Sequence, residues 1–189
     1  MTVTYPQGFT ASGITAGFKA SGQPDLGLLV GVEGTVAVGM FTTNRVAAAP
    51  VRLSRARLRA GEPRAVLVNA GQANAATGAA GDADALTSTA IVSDAIGVQV
   101  DDLLACSTGV IGEPLHMDLF EDAVPKLVAS LDPDGGEAFA RSIMTTDTVD
   151  KQARADSPEH GFRVGGCAKG VGMIAPDLAT MLAFVTTDA

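Results

Sequence analysis

The sequence has no tryptophan, one tyrosine, two cysteines and two histidines among its 189 residues. Two cysteines are too few for a disulfide framework in a chain of this size, so we expect Cys106 and Cys167 to be small buried residues. His116 and His160 lie far apart and no HExxH or paired-cysteine spacing occurs, which disfavours a metal site and a histidine-based triad. No apolar run approaches the ~20 residues of a membrane span, and no export signal is visible. The sequence therefore predicts a soluble cytoplasmic protein without a metal or other cofactor.

Positive charge is also scarce: the sequence has 13 Lys and Arg residues and 21 Asp and Glu residues, which gives a net charge of −8. A nucleic-acid partner is disfavoured, since the phosphate backbone is held mainly by clustered Lys and Arg side chains. The one basic cluster, "RLSRARLRA", places Arg52, Arg55 and Arg59 at spacings of three and four residues. That spacing is typical of the solvated face of a helix.

What is abundant is small and apolar: 47% of the residues are hydrophobic and 22 are glycine. This composition predicts one packed domain of layered sheets and helices. Two strands joined by a turn at Glu33 and Gly34 are predicted within residues 26–43, and a buried strand is predicted over residues 64–69. A loop rich in Gly, Ala and Asn should follow, then a helix that begins at Asp82 or Asp84 and ends at Gly97.

The second half of the chain alternates in the same way. A short strand "LLACS" precedes a helical region over residues 117–131 that Pro125 should break or restart. A further helix is predicted over residues 137–144, and the segments "KQARAD", "FRVGG" and "MLAFVTT" read as strands. No linker or internal repeat interrupts the pattern, so the expected fold class is a single α/β or α+β layered domain.

Local motifs leave several interpretations open. "GVGMIA" at residues 170–175 matches a dinucleotide-binding pattern only weakly, because Pro176 blocks the helix that should follow it. "STGVIG" at residues 107–112 could aim an N–H and a hydroxyl at one oxyanion, although on local evidence alone a tight glycine turn explains it better. "MTTDT" at residues 144–148 is equally explained by capping bonds at a helix end.

Taken together and in order, the motifs "NAGQANAATG", "STGVIG", "IMTTDT" and "AKGVGMIAPDLATML" resemble the ornithine acetyltransferase family of arginine biosynthesis. The resemblance covers nearly the whole chain and implies a layered sheet-and-helix sandwich of the N-terminal-nucleophile type. It also implies self-cleavage between Ala179 and Thr180. Residues 1–179 would then be the α-chain segment and residues 180–189 the start of a β chain.

Freed by cleavage, Thr180 would be a nucleophile whose own α-amino group, with an ordinary pKa of about 7.7–8.0, serves as general base. By resemblance, Thr108 and Gly109 would stabilise the oxyanion, while Thr145, Lys169 and Thr180 would contact substrate. A lysine suits this role because its cation can hold an amino-acid carboxylate.

The resemblance implies acetyl transfer from N-acetylornithine to glutamate through an acetyl-threonine enzyme, and it leaves open acetyl-CoA as a co-substrate. It implies an α2β2 assembly with the β chain of the same precursor. The sequence departs from the family at Asp177-Leu178, where Asn-Met is frequent, at Ala76, where cysteine is frequent, and in its shorter length. Two alternatives remain at this point, namely a threonine-nucleophile amidase or aminopeptidase and an inactive truncated fragment.

Overall fold

Two sheets form the framework of the protein in a computed structural model, which describes residues 2–171 and 181–189. The strands are β1 (Phe9–Ile14), β2 (Leu26–Gly31), β3 (Ala65–Gln72), β4 (Leu103–Val110), β5 (Lys151–Asp156), β6 (Arg163–Lys169) and β7 (Leu182–Thr187). The helices are α1 (Ala49–Ala60), α2 (Gly78–Ile96), α3 (Met117–Ala129) and α4 (Gly136–Ser142), with a 3-10 turn at Val100–Asp102. The predicted α/β layered class is confirmed.

The first sheet has the order β1-β2-β3-β4, and only the β3–β4 pair is parallel. Successive side chains of a strand point to opposite faces, so Leu67 and Val68 of β3 enter different cores. Leu67 belongs to the core beneath α2 and α3, whereas Val68 belongs to a second core with α4. Burial on both faces explains why β3 reads as a continuous apolar run.

The second sheet has the antiparallel order β5-β6-β7. Its inner face contributes Cys167 to the second core, with Leu182 and Phe184 packed against it, and the Phe184 ring meets the Phe139 ring of α4 edge to face at 5.2 Å. The molecule is therefore layered as helices, first sheet, then second sheet with α4. Both sheets meet at the second core.

The predicted hairpin over residues 26–43 is wrong. β2 is a strand, but its two edges are occupied by β1 and β3, so the chain after Glu33 and Gly34 cannot pair with it. Residues 35–44 form no strand.

Two helix predictions need correction as well. Pro125 does not interrupt α3; it lies on the exposed side of the helix, where water can satisfy the carbonyl left without an N–H partner. α2 begins at Gly78 rather than at an aspartate, because the buried Asn74 side chain donates to the Gly81 carbonyl at 2.8 Å and fixes the first turn. The predicted stop at Gly97 is confirmed: α2 ends at Ile96, and Gly97 caps it in a left-handed conformation.

Arg52, Arg55 and Arg59 are predicted to lie on the solvated face of a helix, and Arg52 and Arg59 are indeed exposed on α1. Arg57, on the other side of α1, is buried and donates to the Leu103 carbonyl at 2.6 Å. Cys167 is buried as predicted, whereas Cys106 is half-buried, and burial raises the pKa of both thiols to about 12. Within the described part of the chain, every helix is too short or too polar to span a bilayer.

Candidate active site

The candidate site lies where the parallel strands β3 and β4 end. Gly71 and Gly109 are paired across the two strands, and a Cβ atom on Gly109 would lie 2.1 Å from the Gly71 carbonyl oxygen. Gly109 also has φ of 132°, a backbone angle that side chains disfavour. The close approach requires glycine here, and it leaves the Gly109 peptide exposed at the strand end.

Thr108 precedes this glycine and is buried, with 8% of its surface exposed. Its hydroxyl oxygen accepts a hydrogen bond from Lys169 Nζ at 2.7 Å. Lys169 Nζ also donates to Thr145 Oγ1 at 3.0 Å. Three residues that are far apart in sequence, on β4, on β6 and after α4, therefore meet at one ammonium group.

This geometry orients the hydroxyl of Thr108. A lysine ammonium has donors only, so the threonine oxygen must be the acceptor and its own proton is free to point elsewhere. A hydroxyl that accepts a bond from a cation is a stronger donor, since hydrogen bonds in a chain polarise one another. The Thr108 O–H therefore lies next to the exposed Gly109 peptide at the end of β4, an arrangement that can serve as an oxyanion hole.

Asp147 fixes the loop that carries Thr145. Its carboxylate accepts the Gly170 N–H at 2.9 Å and forms an ion pair with Lys151, and its side chain is fully buried. Burial raises the pKa of Asp147. Hydrogen bonds from Lys151 and from the Gly170 and Thr145 N–H groups together lower it by more, so the pKa lies below its ordinary value. The carboxylate is therefore ionised beside Lys169.

Burial lowers the pKa of Lys169, and Lys151 lowers it further, while Asp147 acts in the opposite direction. Only 4% of Lys169 is exposed. A cation held in a dry site with neutral hydroxyl partners keeps its affinity for an anionic ligand. The cluster can thus bind a carboxylate at Lys169 and stabilise a developing negative charge at Thr108 and Gly109.

Lys19 is a nearby cation that our sequence analysis missed. The buried Asp25 carboxylate accepts the N–H groups of Ala16, Gly17 and Lys19 at 2.6 to 3.1 Å and shapes their loop. The loop reaches the end of β3, where Gln72 Nε2 donates to the Phe18 carbonyl at 3.2 Å.

Burial lowers the pKa of Lys19, Asp25 raises it, and the positive charge of Lys169 lowers it again. The two ammonium groups are therefore close enough to repel each other. A usable signal was present in the composition. The sequence has only four lysines, and three of them, Lys19, Lys151 and Lys169, gather around this site.

The predicted site residues thus fall into two groups. The structure brings Thr108, Gly109, Thr145 and Lys169 together, whereas Ala179 and Thr180 lie outside the described residues. Among the residues that are described, no group of three or more His, Cys, Asp and Glu side chains is arranged to hold a metal ion.

Comparison with known proteins gives one consistent result. The sequence profile described as the ArgJ family matches residues 10–189. The "Arginine biosynthesis bifunctional protein ArgJ" of Thermosynechococcus vestitus is 50% identical over 99% of this chain and 45% of its own length. The protein of the same name from Streptomyces coelicolor is 47% identical over 100% of this chain and 49% of its own length. The chain spans about half the length of the curated relatives it matches.

Two crystal structures share the fold. The ornithine acetyltransferase of Mycobacterium tuberculosis, solved in complex with ornithine, has a TM-score of 0.89 and 42% identity, over 93% of this chain and 94% of that one. The arginine biosynthesis bifunctional protein of Bacillus halodurans has a TM-score of 0.85 and 34% identity, over 96% of this chain and 95% of that one.

Proposed function

Because the chain belongs to the ArgJ family, we propose that it is the first part of an acyltransferase of arginine biosynthesis. The full-length protein transfers the acetyl group of N-acetylornithine to glutamate, with Thr180 as the nucleophile. The observation that carries this proposal is the buried Lys169 ammonium, which donates to both Thr108 and Thr145. It supports a carboxylate-binding role for Lys169, next to the two residues that we assign to the oxyanion hole.

The order of events follows from the chemistry of these groups. The substrate carboxylate binds at Lys169 and Thr145, which positions the acetyl carbonyl. The Thr180 hydroxyl attacks that carbonyl while the α-amino group of Thr180 takes up the proton, and the oxyanion is stabilised by Thr108 and Gly109. Collapse of this intermediate expels the amine of ornithine, which leaves with the proton held by the α-ammonium group of Thr180. The amine of glutamate then attacks the acetyl ester and restores the Thr180 hydroxyl.

Two observations support Thr180 in this role. β7 begins at Leu182, two residues after Thr180 in sequence, and Leu182 is the Cα partner of Lys169 in the sheet. The chain also covers about half of the curated relatives but 94% and 95% of the crystallised chains. Such a difference is what a precursor divided into two chains produces. We therefore propose cleavage between Ala179 and Thr180.

The partners follow from the same proposal. A β chain of the same precursor completes the pocket, and two such pairs form an α2β2 assembly in the cytoplasm. The crystallised relative from Mycobacterium tuberculosis binds ornithine, which supports an ornithine-type substrate here. The curated relatives are called bifunctional, which supports acetyl-CoA as a second acetyl donor to glutamate.

An assay of the full-length protein tests the function. N-acetylornithine with glutamate should yield ornithine and N-acetylglutamate in equal amounts, and N-acetylornithine alone should yield little ornithine. Ornithine release that is equally fast without glutamate would identify a hydrolase instead. Replacing N-acetylornithine with acetyl-CoA tests the second donor separately.

A further inference from the structure

A stretch of apolar residues lies on the surface directly after β2. Val36, Val38 and Met40 are 87%, 92% and 86% exposed. Isolated exposed apolar side chains are common in proteins, but here three large ones occur at alternate positions within five residues. We refer to residues 35–41, "TVAVGMF", as the apolar segment.

The opposite side of the apolar segment is packed. Thr35, Ala37 and Phe41 are half-buried, and Arg55 of α1 lies over the Phe41 ring with its guanidinium carbon 5.3 Å from the ring centre. A Cβ atom on Gly39 would lie 2.6 Å from a methyl group of Leu58, so the backbone rests directly on α1. Half-buried and exposed residues alternate over residues 35–38, and Phe41 is half-buried again while Gly39 is exposed. Alternation of this kind is typical of a strand with one covered face.

From Val36 to Phe41, the backbone of the apolar segment has no backbone partner in the described part of the chain. Among residues 2–171 and 181–189, no backbone-to-backbone hydrogen bond involves residues 36–41. β2 cannot supply one, because β1 and β3 occupy both of its edges. An extended segment with free N–H and C=O groups and an apolar face is a template for pairing with another strand.

We propose that the apolar segment becomes a β-strand by pairing with a strand from the second half of the full-length protein. This inference rests on the proposed function, in which the chain is the first part of a longer enzyme. The curated relatives are about twice as long as this chain, so an intramolecular partner is available at every copy. The two halves are still joined when the precursor folds, so pairing between them costs less entropy than recruiting a second molecule.

The pairing explains why an exposed valine-rich segment is tolerated. A second strand satisfies the free backbone groups, and the sheet or helix layer behind it covers Val36, Val38 and Met40. The segment leads through residues 42–48 into α1, whose first residue Ala49 donates its N–H to the Asn74 carbonyl. The loop of Asn74 meets the end of β4 through the bond from the Ala73 N–H to the Val110 carbonyl, at 2.8 Å. A second-half strand docked here is therefore tied to the β4 end of the active site.

Amide hydrogen exchange on the full-length protein tests the pairing. We expect the amides of residues 36–41 to exchange about 100-fold or more slowly than unstructured amides, as strand amides do. The matched control is the exposed turn at Glu159 and His160, whose amides should exchange at nearly unprotected rates. Exchange of the apolar segment at the rate of this control would overturn the inference. Protection that disappears on dilution, while the two halves stay associated, would overturn it as well by identifying a second copy as the partner.

Three variants sharpen the test. Val38→Asp places a charge on the face to be covered and should reduce the protection of residues 36–41 by about tenfold or more. Val38→Thr keeps a β-branched side chain and should stay within about threefold of wild type. Leu86→Asp adds the same charge at an exposed position of α2 and should leave this protection unchanged. Equal protection in all three variants would contradict the pairing.

The outcome is independent of the proposed activity. Wild-type protein that transfers acetyl groups but shows no protection of residues 36–41 would refute the pairing and leave the function standing. Protein that shows the protection but lacks transfer activity would refute the proposed function and leave the pairing standing.

Discussion

The two sheets differ in how they are covered. The first sheet is buried on both faces, so that Leu67 and Val68 are 2% and 0% exposed although they point in opposite directions. The second sheet is buried on one face only: Cys167 on the inner face is 4% exposed, whereas Val185 on the outer face is 73% exposed. Thr108 and Gly109 belong to the first sheet and Lys169 to the second. The site thus lies between a sheet that is buried on both faces and a sheet of which this chain buries only the inner face.

This difference assigns separate tasks to the sheets. A strand packed on both sides has little freedom, which suits residues that must hold an oxyanion within narrow geometric limits. Lys169 reaches that framework from the inner face of the second sheet through one long side chain. We therefore expect substitutions in the first sheet to affect folding or kcat, and substitutions in the second to affect substrate binding.

The largest effect should come from Gly109→Ala in the full-length protein. The new methyl group would collide with the Gly71 carbonyl and occupy a disfavoured backbone angle. Overpacking and backbone strain together should lower the free energy of unfolding by roughly 3–5 kcal/mol, measured by urea denaturation. Gly112→Ala is the matched control, because Gly112 has φ of 87° but open space around it, and it should cost about 1–2 kcal/mol. Equal costs would show that the strands do not approach closely.

Thr108→Ala should come next, with kcat for acetyl transfer lowered by about 10²–10³ and the urea midpoint little changed. The reason is the loss of the hydroxyl beside Gly109 that Lys169 orients. Thr108→Ser keeps the hydroxyl and should retain kcat within about tenfold. An unchanged kcat in Thr108→Ala would remove this residue from the oxyanion hole.

Lys169→Ala should act mainly on binding, with a smaller loss of kcat because Thr108 loses the group that orients its hydroxyl. The loss of a charge-assisted bond of about 1.5–3 kcal/mol should raise KM for N-acetylornithine and for glutamate by roughly 10- to 100-fold. Self-cleavage, followed by gel electrophoresis, should slow less. Lys126→Ala, at an exposed lysine on α3, is the control. If both KM values stay at wild type, Lys169 is structural and the division of tasks between the sheets is wrong.

The smallest effect should be a shift in pH dependence. The pKa of Lys169 is lowered by burial, so KM should begin to rise with pH below the ordinary lysine value of about 10.4, as the ammonium loses its proton. Asp147 opposes this shift, and Asp147→Asn removes the opposing charge while leaving an acceptor for Gly170. The rise in KM should therefore move to lower pH. A pH profile that coincides with wild type would show that Asp147 does not act on Lys169.

The lowered pKa of Lys169 also makes the free energy of unfolding depend on pH. An ordinary lysine in the unfolded chain binds its proton more tightly than buried Lys169, so between the two pKa values the unfolded state holds more protons. The contribution of Lys169 to stability consequently rises with pH through that window. Lys169→Met should remove this pH dependence in a series of urea denaturations.

Much of the fold could be predicted because its signals are local. Strands such as β3 are continuous apolar runs, and Gly97 marks the end of α2. The hairpin prediction failed because alternating apolar residues indicate a strand without indicating its partner. β1, "FTASGI", is too polar to be recognised as a strand from its sequence, yet it occupies the edge of β2 that the predicted hairpin needed. Pro125 was misjudged because exposure, which decides its cost, is a property of the folded helix.

The site shows the same limit. Thr108, Gly109, Thr145 and Lys169 could be named from motifs that resemble a family, but each motif alone had an ordinary structural explanation. Lys19 carried no motif, and its position depends on the buried carboxylate of Asp25, which is visible only when the loop is folded. Contacts across 61 residues, such as that of Lys169 with Thr108, leave no trace in local sequence.

In the proposed mechanism, Thr180 carries the acetyl group between donor and acceptor. Full-length protein should be mixed with N-acetylornithine in the absence of glutamate, quenched in acid and examined by mass spectrometry of its peptides. We expect one acetyl group on the peptide that begins with Thr180, and its disappearance when glutamate is added before the quench. Turnover to N-acetylglutamate without any acetylated Thr180, or with the acetyl group on another residue, would exclude Thr180 as the acetyl carrier.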